Sequence, residues 1–167
     1  MKLQEAKNKF IQSWGTFGSQ WGINKTMAQI HALLMVSPEP LSMEDIMEQL
    51  SISRGNASMN LRALMDWGIV YKEYKTGERK EFFTAEKDLD ELAVKIARER
   101  SKREIKPALK ILKEVSTIDN AATLEEKHFV EQTTKLYDFV LRADNMVDKA
   151  TEFKDNWLGR LVLKIMK

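Results

Sequence analysis

Residues 53–62 read Ser53-Arg54-Gly55-Asn56-Ala57-Ser58-Met59-Asn60-Leu61-Arg62, and no carboxylate follows until Asp66. On a helix, Ala57, Leu61 and Leu64 share one face. Arg54, Gly55, Asn56, Ser58, Met59, Asn60 and Arg62 are left for the exposed side. A helix that enters a DNA major groove must carry no negative charge near phosphates and must offer donors to base edges. Arg suits guanine, Asn suits adenine, and an apolar contact such as Met59 suits the thymine methyl. Gly55 removes a side chain near the helix start, and the N-terminus, capped by Ser53, favours a phosphate. The competing reading is a polar surface helix of an ordinary α-domain.

A second basic group lies at 72–80, where Lys72, Lys75, Arg79 and Lys80 outnumber Glu73 and Glu78. Such a tip either touches sugar–phosphate, which positions a protein without specifying sequence, or is a solvated turn. A third block, Lys95, Arg98, Arg100, Lys102, Arg103, Lys106 and Lys110, stands against Glu99 and Glu104. It reads as a solvated helix with ion pairs, as a flank of the same surface, or as a charged dimer face. Phe10, Trp14, Phe17 and Trp21 recur at helical spacing. They form a core or dimer face, or a cage for a quaternary ammonium ligand.

Other chemistry finds little support. The sequence has no cysteine and two histidines, His31 and His128. Thiolate metal sites, disulfides and cysteine nucleophiles are excluded. There is no phosphate-binding Gly-rich loop, no HExxH and no GxSxG, so neither an enzyme, a metal site nor a cofactor is expected. His31 lies in a core-forming pattern and is expected to pair with a backbone or polar group. Across 167 residues the net charge is +2, with 43% hydrophobic and 31% charged residues, a globular composition. No stretch approaches the roughly 20 apolar residues of a membrane span. No apolar run follows Lys2, Lys7 and Lys9, so no signal peptide is expected and the cytoplasm is the expected compartment.

The positioning elements follow from periodicity. A helix is predicted over 2–18, with Gly15, Gly18 and Gly22 loosening the chain after it. A second helix starts at the N-cap Asn24 and ends before Ser37-Pro38-Glu39-Pro40. Ser42 and Asp45 open a third helix, Ser53 a fourth, and Gly68 ends the fourth. Residues 69–74 and 80–84 then form a β-hairpin. Beyond Ala85 the pattern is helical, with Pro107 as a kink or interruption and a break near 116–123. Leu124 to Val147 then carries helical periodicity, and Leu158, Leu161, Val162 and Ile165 close the chain. Two helices joined by a short turn and followed by a hairpin predict a mainly α fold with a small β-hairpin wing. This is a winged helix-turn-helix with long N- and C-terminal dimerisation helices. The expected organisation is 1–37 for N-terminal support and dimer contact, 38–86 for the winged core, and 87–167 for C-terminal dimerisation.

Several runs carry a family resemblance: Trp14-Gly15-Thr16-Phe17-Gly18, Gly22-Ile23-Asn24-Lys25-Thr26-Met27-Ala28-Gln29-Ile30-His31-Ala32-Leu33-Leu34, and the stretch Ile52 to Arg62. Trp67-Gly68-Ile69-Val70 and Gly77-Glu78-Arg79-Lys80-Glu81-Phe82-Phe83 also fit. Together they resemble the GbsR branch of MarR-like regulators over about residues 10–84. The resemblance implies a homodimeric winged-helix regulator of transcription, usually a repressor, that binds double-stranded DNA. The implied DNA contacts are Ser53, Arg54, Gly55, Asn56, Ser58, Met59, Asn60 and Arg62 in the helix and Lys75, Arg79 and Lys80 in the wing. Some members of that branch respond to choline, which makes Phe10, Trp14, Phe17 and Trp21 the candidate lining of an effector site, beside their reading as core or dimer face. The alternative function is a winged-helix module that binds protein.

Overall fold

The computed structural model describes residues 1–118 and 122–155. The chain divides into two compact units, Met1–Leu92 and Ala93–Lys167. Expectations for Leu158, Leu161, Val162 and Ile165 lie outside the described residues.

The first unit is organised around α2 (Lys25–Val36), which follows α1 (Leu3–Gln20). Asn24 caps α2 by accepting from the Met27 amide at 3.1 Å. Seven of its twelve residues are buried, so it meets protein on nearly every side. Its C-terminus stops at Ser37, whose hydroxyl donates to the Leu33 carbonyl at 2.7 Å. Two further carbonyls of its last turn, and that of Ser37, are closed from far along the chain. Lys87 Nζ donates to the carbonyl oxygens of Leu34, Met35 and Ser37 at 2.6, 2.8 and 2.9 Å. A cation there also opposes the negative end of the helix dipole.

Gly15 and Gly18 do not loosen α1, which runs on to Gln20. They let it lie close against α2. A Cβ added at Gly18 would sit 2.5 Å from Ala28 Cβ, and one at Gly15 would sit 2.6 Å from Gln29 Cγ. Glycine here removes an obstacle between two helices, a role that spacing within one segment does not show.

Proline-restricted backbone after α2 leads into β1 (Leu41–Ser42), then α3 (Met43–Leu50) and α4 (Arg54–Asp66). Ser42 is both the end of β1 and the N-cap of α3. Its hydroxyl accepts from the Asp45 amide at 3.2 Å, while Asp45 Oδ2 accepts from the Ser42 amide at 2.8 Å. Between α3 and α4, Ser51 takes the left-handed conformation (φ 52°) that turns the chain within three residues. At the far end of α4, Gly68 has φ 69°. Gly68 and Ile69 amides donate back to Met65 and Leu64 carbonyls at 2.9 and 3.1 Å, a Schellman closure.

The hairpin is β2 (Val70–Tyr74) and β3 (Glu81–Ala85), paired antiparallel from Val70 opposite Ala85 to Tyr74 opposite Glu81. The sheet has three strands rather than the expected two. β1 pairs with β3, Leu41 opposite Phe83 and Ser42 opposite Phe82, in the order β1-β3-β2. Two residues between a proline-rich turn and a helix carry no periodicity, so the third strand was invisible in sequence. The core joins Ile30 and Leu34 of α2, Ile46 of α3, Leu61 and Leu64 of α4, Val70 and Phe83, each at most 2% exposed.

His31 is also in this core, 4% exposed, and its Nε2 has no hydrogen-bond partner among the described residues. The expected polar partner for that atom is absent. The helix placed the ring among apolar neighbours, and burial, aided by the Lys87 charge, pushes its pKa down to about 4.

In the second unit, Ala93 to Arg100 of α5 (Leu89–Arg100) leads into a wider π-type turn (Ser101–Ile105), α6 (Lys106–Val115) and α7 (Leu124–Asp155). Pro107 does not end the helix. The π turn just before it alters the ladder where a proline lacks its donor. Ser101, 2% exposed, donates its hydroxyl hydrogen to the Asp144 carboxylate, which is 7% exposed. Arg100 pairs with Glu104 at 3.0 Å, and Arg103 and Lys102 pair with Glu99 at 2.6 and 4.0 Å. Much of this basic block is therefore engaged along its own helix. The unit is open: α6 buries none of its residues, and Ile111, Leu136, Phe139 and Met146 are each at least half exposed.

Three outcomes follow for stability. Gly18→Ala should destabilise the protein by about 1–3 kcal/mol in urea unfolding, because α1 and α2 must separate. Gly55→Ala, where an added Cβ meets nothing within 4 Å, should change stability by no more than about 1 kcal/mol, in the favourable direction. For His31, the unfolded imidazole titrates near 6.5 and takes up a proton that the folded one resists. Its contribution is whole above pH 6.5 and falls as the pH drops toward 4, by about 3 kcal/mol at the low end. His31→Leu should flatten the unfolding midpoint over that window; an unchanged slope would show that other groups govern it.

Candidate nucleic-acid interface

The site is built on α4. Its inner face, Ala57, Leu61 and Leu64, is at most 1% exposed and anchors the helix to the unit. The outer side presents Arg54, Gly55, Met59 and Arg62, with Met59 63% exposed. Ser58 and Asn56 are half-buried, and Ser53 is exposed at the helix start, where its Oγ accepts from the Asn56 amide at 3.3 Å. No acidic residue lies in the first turn of α4.

Asn60 corrects the sequence reading. It was expected on the exposed side but is 3% exposed. It lies near the boundary of the apolar stripe. Its amide turns back along α4, Nδ2 donating to the Asn56 carbonyl oxygen at 2.9 Å and to Asn56 Oδ1 at 2.7 Å. Polar residue type suggested exposure, but a buried amide is tolerated when its hydrogens are used.

Glu44 was missed. It projects from α3, and its Oε1 accepts from Arg54 Nη2 at 2.6 Å, an exposed ion pair. Glu44 and Arg54 are ten residues apart, on different helices, so no spacing rule joins them. A hydrogen bond from its own backbone N–H and the Arg54 guanidinium hold the Glu44 carboxyl below its ordinary range. α4 itself is acid-free over this stretch, but the surface carries one acid from its neighbour.

The wing is held by two contacts that fix its cations. Lys72 Nζ pairs with Glu81 Oε1 across the strands at 2.8 Å, and this bond raises the Lys72 pKa. Lys75 Nζ lies 4.4 Å from the centroid of the Phe82 ring, a cation–π contact. Arg79 and Lys80 are exposed at the tip. Asp45, whose carboxyl is lowered chiefly by its hydrogen bonds from Ser42, also feels the charges of Lys80 and Lys75. Arg62 is near enough to oppose the charge on Lys72. Wing, α3 and α4 thus share one electrostatic neighbourhood. A cleft of about 180 Å³ between α4 and the hairpin is lined by Ser58, Arg62, Lys72 and Glu81 among others.

The four aromatic residues do not gather into a cage within this unit. Phe10 and Trp14 are half-buried with ring centroids 5.5 Å apart at 33°. Phe17 and Trp21 are 46% and 56% exposed. They form a stripe along α1. Among the described residues no group of three His, Asp or Glu side chains is placed to hold a metal ion, and no helix is long and apolar enough to cross a membrane.

Two helices joined by a three-residue turn, the second with a polar outer face, and then a strand-paired hairpin with a basic tip define a winged helix-turn-helix. Residues 21–79 match the sequence model of the MarR family. It is 26% identical over 86 residues to the HTH-type transcriptional repressor GbsR of Bacillus subtilis (strain 168). The match covers 52% of this chain and 47% of that protein. It is 21% identical over 86 residues to the putative HTH-type transcriptional regulator YvaV of the same organism, over 52% of this chain and 49% of that one. The match thus spans about half the length of each relative. A crystal structure of a transcriptional regulator shares the fold with a TM-score of 0.58 at 16% identity, over 86% of this chain and 99% of its own.

Proposed function

We propose that this protein is a sequence-specific regulator of transcription, a repressor, which lays α4 in the major groove of double-stranded DNA and sets its wing on the flanking phosphates. The carrying observation is the outer side of α4. Arg54, Gly55, Ser58, Met59 and Arg62 reach the surface from a helix without a carboxylate before Asp66. Arg54 and Arg62 reach guanine edges, Met59 meets a thymine methyl, and Gly55 leaves room for the backbone to approach. Lys75, Arg79 and Lys80 supply phosphate contacts. The match to a relative named as a repressor supports the direction of control. The exposed Arg54–Glu44 pair does not oppose this role. Exposed ion pairs are worth little, and a phosphate or guanine edge can replace Glu44 as the partner.

The protein acts as a homodimer in the cytoplasm. The aromatic stripe of α1 and the open apolar faces of α6 and α7 are large for a monomer's surface and suit a second copy. The stripe is assigned to that contact rather than to a quaternary ammonium effector, because Phe17 and Trp21 enclose nothing. Two copies would read half-sites about one helical turn apart. Residues 1–37 and 87–167 provide the dimer contacts and 38–86 the DNA module.

Binding of the full chain to duplexes enriched from a random pool tests this reading. Affinity should fall steeply as salt rises, through counterion release. Arg54→Ala should weaken the enriched duplex about ten- to a hundredfold and random duplexes far less. Lys75→Ala should weaken both alike and reduce the salt slope by about one. A flat salt response with no enriched sequence would instead favour a protein partner for this surface. Choline titrated against tryptophan fluorescence should leave the spectrum unchanged at millimolar concentration; a saturable change would restore the effector site.

A further inference from the structure

The bonding of Asn60 bears on which base α4 selects. One buried amide nitrogen, with two hydrogens, serves both oxygens of the same residue, the main-chain and side-chain oxygens of Asn56. The Asn56 amide donates in turn to Ser53 Oγ. Asn56 is therefore held at three of its polar atoms by α4 and its N-cap. Its Oδ1 is drawn back toward a buried donor one turn along the helix, which leaves Nδ2 as the polar edge without a partner among the described residues.

An unrestrained asparagine reads adenine with both edges of its amide. The carbonyl accepts from N6 and the amino group donates to N7. That pairing needs Oδ1 and Nδ2 side by side toward the base. Oδ1 keeps a second lone pair, but its bond to Asn60 fixes the rotation of the Asn56 amide, so the side-by-side pairing is not free to form and Nδ2 is the edge left to bond. Releasing Oδ1 would leave the buried Asn60 amide short of an acceptor, so the arrangement resists rotation.

We propose that Asn60 is a positioning residue that makes Asn56 a hydrogen-bond donor alone, so that the base facing it is chosen for its acceptors. Guanine, which offers two acceptors, N7 and O6, is favoured there over adenine, which offers N7 alone. The inference rests on the DNA reading above and specifies part of it. It replaces two independent asparagine contacts, each suited to adenine, by one contact of different preference.

Two measurements on the full chain separate this proposal from the reading beneath it. The first needs no DNA. In nuclear magnetic resonance of the free protein, the side-chain amide hydrogens of Asn60 should exchange with water more slowly than those of Asn56, and Asn56→Ala should speed the exchange at Asn60. Equal exchange at both residues would overturn the lock. The second is enrichment from a random duplex pool, with Asn56→Ala marking the position that Asn56 faces. At that position the unaltered protein should prefer guanine to adenine, and Asn60→Ala should move the preference toward adenine about tenfold, with other positions unchanged. Adenine already favoured by the unaltered protein, or the same profile in Asn60→Ala, would overturn the proposal while the DNA reading stands. No enriched sequence for the unaltered protein would overturn the DNA reading and the base choice together, with the exchange measurement still reporting on the lock. Asn60→Ser guards against loss of folding in Asn60→Ala. Its hydroxyl can bond the Asn56 carbonyl from the same helix and frees Oδ1, so it should shift the same base.

Discussion

The burial of α2 is the constraint on which the first unit depends. A helix with seven of twelve residues buried has no solvent face on which to leave an unpaired end, so its last carbonyls must be satisfied by protein. Ser37 closes one and Lys87 takes three, of which two belong to α2. Lys87 lies just beyond β3, and its ammonium group sheds part of its hydration to reach those oxygens, which lowers its pKa. The end of the wing is thereby tied to the end of the central helix. On the other side, Gly18 brings α1 to a separation from Ala28 of α2 that a Cβ would not allow, and at Gly15 a Cβ would displace the Gln29 side chain. With α2 fixed on both sides, α4 has a firm seat and its outer residues are set by helix geometry.

Over that seat lies a surface in which cations are held by short, mostly exposed contacts. Arg54 is paired to Glu44, Lys72 to Glu81, and Lys75 lies on Phe82. None of these is strong in water, where exposed pairs add little to stability. Their effect is to limit the orientations of long side chains. The buried amide of Asn60 acts on the same helix by a firmer means, because its alternatives are few. The second unit uses a similar device for structure, a buried serine–aspartate hydrogen bond beside a π turn. Its faces stay open, in contrast to the closed core of the first.

Element order was legible because each element has a local cause. Asn24, Ser42 and Ser53 are caps whose side chains accept the amides expected of them, and Gly68 takes the positive φ that a helix end requires. The hairpin showed itself by a change of period and a charged turn. The carboxylate-free stretch of α4 and the basic wing tip were equally plain, since composition along a few residues carries them.

What the sequence by itself determined is therefore the set of helices and strands, their order, and the chemical kind of surface that α4 and the wing present. Those follow from bonds and periodicities within a few residues of each other. Tertiary structure alone decided that Asn60 turns inward, that Glu44 reaches Arg54, that Lys87 closes α2, that β1 joins the sheet and that, among the described residues, His31 is left without a partner at Nε2. Most of these join separate elements, and the other two depend on how deeply a helix face is buried. Packing sets both distance and depth, and residue type records neither.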